Sequence, residues 1–301
     1  MSDAIAVVGS VAFDTLETPH GRADDELGGS ALHFAVAASF FAPVHLVAPV
    51  GPDFPGEART YLQDRGIDLS GLETRAGTTF RWHGRYHEDM NRRDTLHLDL
   101  GVFAGFVPTL SAPVRAARYV FLGNIDPALQ RRVLDQFAAP LLVGLDTMNH
   151  WIAEARPALE AILPHVDLLV INDQEAAELS GEVNVTRAAR RILALGARMV
   201  LVKRGEYGAI LFSPDSVFAV PAFPLEQVFD PTGAGDTFAG GLVGYLAASG
   251  EHSERTLRRA IVYGSVLASF VVEDFGGRRM RTLGRDEVER RYRQFVALTE
   301  F

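Results

Sequence analysis

Short, almost purely apolar runs alternate with helical patterns along most of this chain, and that alternation restricts its fold. Strands that are nearly continuous in apolar residues are typical of a parallel sheet covered on both faces by helices. We predict buried strands at residues 5–8, 46–50, 119–122, 141–145, 168–171 and 199–203, and helices at residues 30–40, 56–65, 127–137, 152–163, 186–195, 234–249, 253–273 and 285–298. The order of these elements predicts an α/β fold of three layers with a mostly parallel central sheet.

A different pattern over residues 79–88 predicts a small β-flap. Residues 80, 82, 84 and 86 fall on one face of an extended strand, and a second period-two stretch at 95–100 pairs with it. No Pro- or Ser-rich linker divides the chain, so we predict one domain over residues 1–301, with a lid inserted at about 14–28 and 74–104. Five arginines in this region either bind a phosphate group on the substrate or form a solvated face: Arg75, Arg81, Arg85, Arg92 and Arg93.

Composition narrows the classes of partner. The chain of 301 residues carries 29 Lys and Arg against 38 Asp and Glu, a net charge of −9, and has no Cys. An acidic chain is not expected to bind nucleic acid or an anionic membrane, and the missing thiols exclude disulfides and a cysteine nucleophile. Residues 1–5 resemble no signal peptide, so we expect a cytoplasmic protein.

The segment over residues 230–241, Asp-Pro-Thr-Gly-Ala-Gly-Asp-Thr-Phe-Ala-Gly-Gly, is the most informative for chemistry. Small residues at Gly233, Ala234 and Gly235 leave backbone N–H groups free to face an anion where a helix begins. The neighbouring Asp236 is then placed to accept a proton from an alcohol during phosphoryl transfer. The alternative is an ordinary glycine-rich loop in which Asp236 only begins the helix.

Other phosphate-binding motifs do not fit the sequence. A dinucleotide-binding fingerprint needs glycine where this chain has Phe238, and a Walker A loop needs a Gly-Lys pair that the chain lacks. The His-Arg-Asp and Asp-Phe-Gly signatures of protein kinases are absent too.

Residues 230–236 resemble the second signature of the ribokinase-like carbohydrate kinases, the PfkB family. The resemblance extends over nearly the whole chain in four further segments: Val8 to Asp14, the Gly28-Gly29-Ser30-Ala31 segment, Asn172-Asp173-Gln174-Glu175, and Val202 to Gly208. It implies a ribokinase-like fold and an ATP-dependent kinase for a primary hydroxyl of a sugar or sugar-like substrate.

The resemblance also implies roles for individual residues. Asp236 would be the catalytic base, and the backbone amides of Gly233, Ala234 and Gly235 would form the anion hole. The implied acceptor site is Asp14, Gly28, Gly29, Ser30 and His33, and the implied nucleotide site is Lys203, Gly205, Gly208, Thr232 and Ser265. Asn172 and Glu175 would position Mg²⁺ through water, although the same spacing is that of a helix capping box.

Several positions depart from the pattern of the family. His33 stands where ribokinases have Asn, which argues against ribose itself as the substrate. Lys203 replaces a common Thr, and its amine either reaches a nucleotide phosphate or lies in solvent. Ser265 lies where ribokinases often place an Asn near the nucleotide base.

Three functions remain open from the sequence. These are a sugar kinase, a nucleoside kinase with an aromatic residue stacked on the base, and a catalytically silent regulator that binds a sugar or nucleotide. The resemblance allows a homodimer formed through the lid. It leaves open whether ADP replaces ATP and whether a monovalent cation takes part.

Overall fold

The computed structural model describes residues 3–300. Met1, Ser2 and Phe301 lie outside the described residues, and with the first two lies part of the segment on which the expectation of no signal peptide rests. Its strands are β1 (Ile5–Val8), β2 (Ala12–Thr18), β3 (Gly21–Gly28), β4 (Val44–Val50), β5 (Ile67–Thr74), β6 (Phe80–Tyr86), β7 (Arg93–Asp99), β8 (Tyr119–Leu122), β9 (Leu142–Asp146), β10 (Leu168–Asn172), β11 (Met199–Lys203), β12 (Ala209–Phe212) and β13 (Val217–Val220). Nine of these strands form one sheet in the order β13-β12-β11-β10-β9-β8-β1-β4-β5. Neighbouring strands from β11 to β5 run parallel. At the other edge, β12 pairs antiparallel with β11, and β13 pairs antiparallel with β12.

Helices cover both faces of this sheet. They are α1 (Ser30–Ala38), α2 (Gly56–Asp64), α3 (Ala112–Arg115), α4 (Pro127–Leu134), α5 (Asn149–Glu154), α6 (Arg156–Ile162), α7 (Asp173–Ser180), α8 (Val185–Ala194), α9 (Ala234–Ser249), α10 (Glu254–Val271), α11 (Arg278–Thr282) and α12 (Arg285–Thr299). Ile5 and Val7 of β1 pack into the core with α1, α9 and α10, whereas Ala6 and Val8 pack into the core with α4 to α8. The predicted three-layer α/β fold with a mostly parallel sheet is therefore confirmed.

One predicted helix is wrong as a single element. Residues 152–163 were expected to form one helix, but α5 ends before Ala155 and α6 begins at Arg156. Ala155 has φ −128° and ψ 25°, outside the helical region. Pro157 explains the break, because its ring excludes the preceding turn of a continuous helix and it has no N–H to donate.

A separate four-stranded sheet forms the lid, in the order β3-β2-β6-β7. The predicted pairing of two period-two stretches is confirmed, since β6 and β7 pair antiparallel. A register shift lies between His83 and Gly84, so that Gly84 pairs with Thr95 while His83 pairs with His97. The extra residue, Leu96, is a β-bulge, which changes the face on which the residues before it lie.

Within residues 3–300, no single helix is long and apolar enough to cross a membrane. One pair of helical segments, Glu254–Val271 and Phe275–Thr282, has the required length and composition together, but it is bent by 103°.

Candidate active site

Polar residues collect at the edge of the large sheet where its parallel strands end. Asp146, Asn172 and Lys203 are the last residues of β9, β10 and β11. Asn172 and Lys203 are direct partners in the strand register. In open α/β sheets, ligands bind in the crevice outside this edge. The fold therefore brings an acid, an amide and an amine together where a ligand is expected.

The glycine-rich turn before α9 is held from beneath by Asp230. Its buried carboxylate accepts one hydrogen bond from the backbone N–H of Thr232 and another from that of Gly276, both at 2.9 Å. Gly233 has φ 74°, and a Cβ there would lie 2.5 Å from the His33 ring. Only glycine fits this position. Residues 231–236 are half-buried, so the turn remains open to a ligand.

Asp236 lies in the first turn of α9 and faces groups from both the sheet edge and the lid. Burial raises its pKa to about 8; Asp146 raises it further, while Lys203 and Arg93 oppose the shift. A general base works best with a pKa near the operating pH. The environment of Asp236 therefore suits proton transfer to and from an alcohol.

Lys203 is oriented toward the glycine-rich turn. Its Nζ lies 2.6 Å from the position that a Cβ on Gly235 would take, and 3.9 Å from Oδ1 of Asp146. Burial lowers the pKa of Lys203, but the charges of Asp146, Glu175 and Asp236 outweigh that effect and leave it raised. The amine is therefore charged and adjacent to the amides of the turn, not in bulk solvent.

Asn172 and Glu175 form the capping box that the sequence allowed. Asn172 Oδ1 accepts from the Glu175 N–H, and a Glu175 carboxylate oxygen accepts from the Asn172 N–H, both at 2.8 Å. Burial raises the pKa of Glu175 to about 7, with Lys203 lowering it and Asp146 raising it. The box fixes Glu175 beside Lys203 and Asp146, which places two carboxylates at the sheet edge.

The predicted acceptor residues lie where β2 and α1 meet. Burial raises the pKa of Asp14 to about 8, and the carboxylates of Asp230 and Asp236 add to the shift. A Cβ on Gly28 would lie 1.9 Å from Asp14 Oδ2, so glycine leaves room for that acid. Gly29 has φ 97°, and the Ser30 N–H donates to the Ser10 hydroxyl at 3.0 Å. Asp14 is thus the residue of this group whose pKa is affected by the charge of Asp236.

His33 lies beneath the turn, against Gly233 and Gly277. Burial lowers the pKa of His33 to about 4, so the ring is neutral at neutral pH. Its contact with Gly233 suits a role in supporting the glycine-rich turn. Its Nε2 and the Thr237 hydroxyl have no hydrogen-bond partner within residues 3–300, and both residues line the same small cavity.

The predicted nucleotide residues are more dispersed. Gly205 and Gly208 have φ 53° and 85°, and a Cβ on Gly208 would lie 2.0 Å from the Val220 carbonyl oxygen. The loop between β11 and β12 therefore requires glycine. Ser265 lies on α10, with its hydroxyl 3.5 Å from the Pro221 carbonyl oxygen. Thr232 contacts the lid instead, since its hydroxyl donates to the Tyr86 oxygen at 3.1 Å.

Sequence reasoning missed Asp146 and did not distinguish Arg93 from the other flap arginines. It placed Tyr86 on one face of the flap, but it did not foresee the contact of Tyr86 with Thr232. Asp146 could have been found, because an acid at the carboxyl end of a predicted parallel strand lies on the ligand side. Tyr86 and Arg93 depend on the lid's fold. Their positions follow from pairing across the bulge, which no local pattern in the sequence specifies.

Comparison with known proteins agrees with this architecture. The model of the pfkB family carbohydrate kinases matches residues 2–282. A cytidine kinase of Thermococcus kodakarensis is 32% identical over 248 residues, covering 80% of this chain and 88% of that protein. A nucleoside kinase of Methanothermobacter thermautotrophicus is 28% identical over 289 residues, covering 90% of each chain. The crystal structure of Methanocaldococcus jannaschii nucleoside kinase superposes with a TM-score of 0.78 at 22% identity, covering 97% of this chain and 98% of that one.

The protein belongs to the PfkB family of carbohydrate kinases. It is a phosphotransferase whose acceptor is an alcohol group, in a family of sugar and nucleoside kinases that use ATP.

Proposed function

We propose that this protein transfers the γ-phosphoryl group of ATP to a primary hydroxyl of a nucleoside, with Asp236 as general base. The observation that carries the proposal is the geometry of the glycine-rich turn: Lys203 Nζ lies 2.6 Å from the position that a Cβ on Gly235 would take, and Asp236 follows in the first turn of α9. Asp14 lies within electrostatic range of this acid, since its pKa is raised by burial first and by Asp230 and Asp236 in addition. An acid suited to binding acceptor hydroxyls and an acid suited to removing a proton therefore face one cleft, beside amides that open a helix.

The residues divide the chemistry as follows. Asp14 hydrogen-bonds hydroxyl groups of the acceptor and orients the primary hydroxyl toward Asp236. Asp236 removes the proton as that oxygen attacks the γ-phosphorus and the bond to the leaving ADP breaks. The amides of Gly233 to Gly235 and the Lys203 amine stabilise the negative charge on the transferring group. The lid covers the cleft and excludes water, which would otherwise compete as acceptor.

Asp146 and Glu175 are a donor set that suits Mg²⁺. Hard divalent cations prefer oxygen ligands and bind through one or two carboxylates together with phosphate and water. Burial raises the pKa of both carboxyl groups, and the charge of Asp146 adds to the shift of Glu175; a divalent cation would displace their protons. Bound there with the nucleotide, Mg²⁺ would neutralise phosphate charge; Asn172 would hold Glu175 in place through the capping box.

The nucleoside is preferred over a free sugar for two reasons. The cytidine and nucleoside kinases named above are similar to this chain over most of their length. The lid also places an aromatic ring next to the acceptor acid, since Trp82 is the register partner of Asp14 and packs against the buried cluster of Leu16, Ala23 and Phe275. Such a surface suits a planar base better than the polar ring of a sugar.

A screen of acceptors tests this proposal. The purified protein with MgATP would be assayed for ADP release in the presence of cytidine, other nucleosides, ribose, fructose or no acceptor. We expect nucleosides, cytidine among them, to give the largest kcat/KM. In thermal denaturation, a nucleoside at 100 times its Kd stabilises by about 2.7 kcal/mol. Asp14→Asn should lose that stabilisation and keep the one given by ATP.

Other outcomes of the screen would change the assignment. Turnover confined to free sugars would replace the nucleoside by a sugar, with the same catalytic residues. Binding of ligands without any ADP release would make the protein a regulator, and the proposed activity would be wrong.

We also propose that two copies associate through their lids. The edge strand β7 and the residue after it expose three large apolar side chains, with Leu96 at 42%, Leu98 at 53% and Leu100 at 43% exposure. An exposed apolar edge strand is suited to pairing with a second copy. Light scattering should find a dimer that Leu98→Arg converts to a monomer. The control Val183→Arg, at a side chain 95% exposed on another surface, should remain dimeric. A monomeric wild type would contradict the proposal.

A further inference from the structure

A second cavity lies where α1 and α9 end, and α10 and α12 complete its walls. Phe40 and Phe41, just after α1, line it together with Tyr245 near the end of α9, and its volume is about 340 Å³. Pockets for small ligands commonly measure about 300 to 1,000 Å³. Tyr245 lies nine residues beyond Asp236 along α9, a distance of about 14 Å at a rise of about 1.5 Å per residue. The cavity is therefore separate from the cleft between the sheet edge and the lid.

Stacked tyrosine rings form one wall of this cavity. Tyr263 of α10 stacks on Tyr292 of α12 with ring centroids 4.2 Å apart, and it stacks on Tyr245 with centroids 4.6 Å apart. Phe41 meets Tyr245 and Tyr263 edge to face. Tyr263 is buried beside its two stacked neighbours, whereas Tyr245 is only half-buried and lines the cavity. The stack therefore presents an accessible aromatic ring to a ligand.

The first turns of α12 add an acid and a base to the same cavity. Arg285 and Glu289 both line it, both are exposed, and they lie four residues apart on α12. This spacing allows an ion pair, but neither side chain belongs to one within residues 3–300. The Glu289 carboxylate is held instead by the Tyr263 hydroxyl, 3.0 Å from Oε1 and 3.1 Å from Oε2. The carboxylate can still accept a further N–H, and the guanidinium can still donate.

These groups together define the chemistry of a ligand. A flat ring can stack on Tyr245, because aromatic faces pair favourably in offset stacks. A ring edge with an N–H donor beside an acceptor matches Glu289 and Arg285, since a carboxylate accepts and a guanidinium donates. Cytosine and adenine have such an edge, with an amino group next to an acceptor nitrogen. The cavity therefore suits a nitrogenous base better than a purely apolar ligand, which would leave both charged groups without a partner.

We infer that this cavity is a second ligand site, which binds a flat nitrogenous base that carries an amino group. The ring stacks on Tyr245, the amino group donates to Glu289, and the neighbouring nitrogen accepts from Arg285. The site binds a ligand and performs no chemistry on it. The inference goes beyond the proposed kinase function and does not depend on it, because none of these residues lies in the cleft that holds Asp236.

Calorimetric titration of the protein with cytosine and with adenine, in excess MgADP to fill the nucleotide site, tests this inference. We expect one base per chain at the cavity. Tyr245→Leu should weaken its binding about tenfold, because the variant keeps an apolar side chain but loses the stacking surface. Glu289→Gln and Arg285→Ala should each weaken it about fivefold, the usual effect of one lost hydrogen bond. The matched control is Arg290→Ala, since Arg290 is also exposed on α12, and it should bind as the wild type does.

Three results would overturn the inference. These are no binding at millimolar base, binding that Tyr245→Leu leaves unchanged, and binding of phenol, a flat ring without an amino group, as tight as that of cytosine. If Tyr245→Leu does not fold, as judged by thermal denaturation without ligand, the two substitutions at exposed positions decide the test. Cytosine has no alcohol group to phosphorylate, so the titration gives its answer whether or not the protein turns over ATP.

Discussion

Asp236→Asn should lower kcat by about 10²- to 10⁴-fold, the range that general-base assistance commonly supplies. The amide cannot accept the proton of the acceptor hydroxyl, so the alcohol must attack without that help. Nucleotide affinity should stay within about threefold of wild type, since the amides of Gly233 to Gly235 that bind phosphate are unchanged. Steady-state ADP release and calorimetric titration with MgATP would measure the two quantities.

Asp236→Asn should leave the fold intact, for an electrostatic reason. Burial raises the pKa of Asp236 to about 8, so in the free protein at pH 7 this carboxyl group holds its proton. The neutral, isosteric amide of asparagine resembles that form. Asp286→Asn is a suitable control, because Asp286 also lies in the first turn of a helix but on the exposed surface of α12. A kcat for Asp236→Asn equal to that of this control would show that Asp236 is not the base.

Lys203→Met should have two separable effects. Removing a fixed cation beside the anion-binding turn should lower kcat by about 10²- to 10³-fold, as for loss of one preorganised charge-stabilising group. It should also move the acidic limb of the pH profile of kcat/KM to higher pH. Lys203 lowers the pKa of Asp236, so without it the base keeps its proton to a pH above about 8, and activity appears only at more alkaline pH.

The matched control for Lys203→Met is Arg204→Met. Arg204 is the next residue, and its guanidinium carbon lies over the Tyr207 ring, 5.6 Å from the ring centroid. It should show neither effect. The profiles would be recorded from pH 6 to pH 10 with acceptor below KM, where kcat/KM reports groups of the free enzyme. An acidic limb that does not move in Lys203→Met would contradict the proximity of Lys203 and Asp236.

The large sheet could be predicted because the constraint on it is local. Each residue of β1 packs into one of two cores, Ile5 and Val7 on one side and Ala6 and Val8 on the other. Burial on both faces requires a continuous apolar run, which is visible in the sequence. The helix break at Ala155 was missed, although Pro157 is a local signal of it.

The residues of the candidate active site also differ in how far the sequence predicts their positions. Asp236 and the glycines before it lie on consecutive residues, so their spacing alone predicts an anion-binding turn with an acid beside it. Arg93 could not be predicted, because its face depends on a single extra residue at Leu96 and on pairing with Tyr86 across the hairpin. Lys203 is an intermediate case: its strand was predicted, but the direction of its amine required the fold.

The most direct test of the central claim is ³¹P NMR of the wild-type protein with MgATP and cytidine. The account predicts that the γ-phosphate signal is replaced by a phosphomonoester of the nucleoside, in amounts equal to the ADP formed, with almost no free phosphate. Inorganic phosphate as the main product, formed at the same rate without the nucleoside, would contradict it.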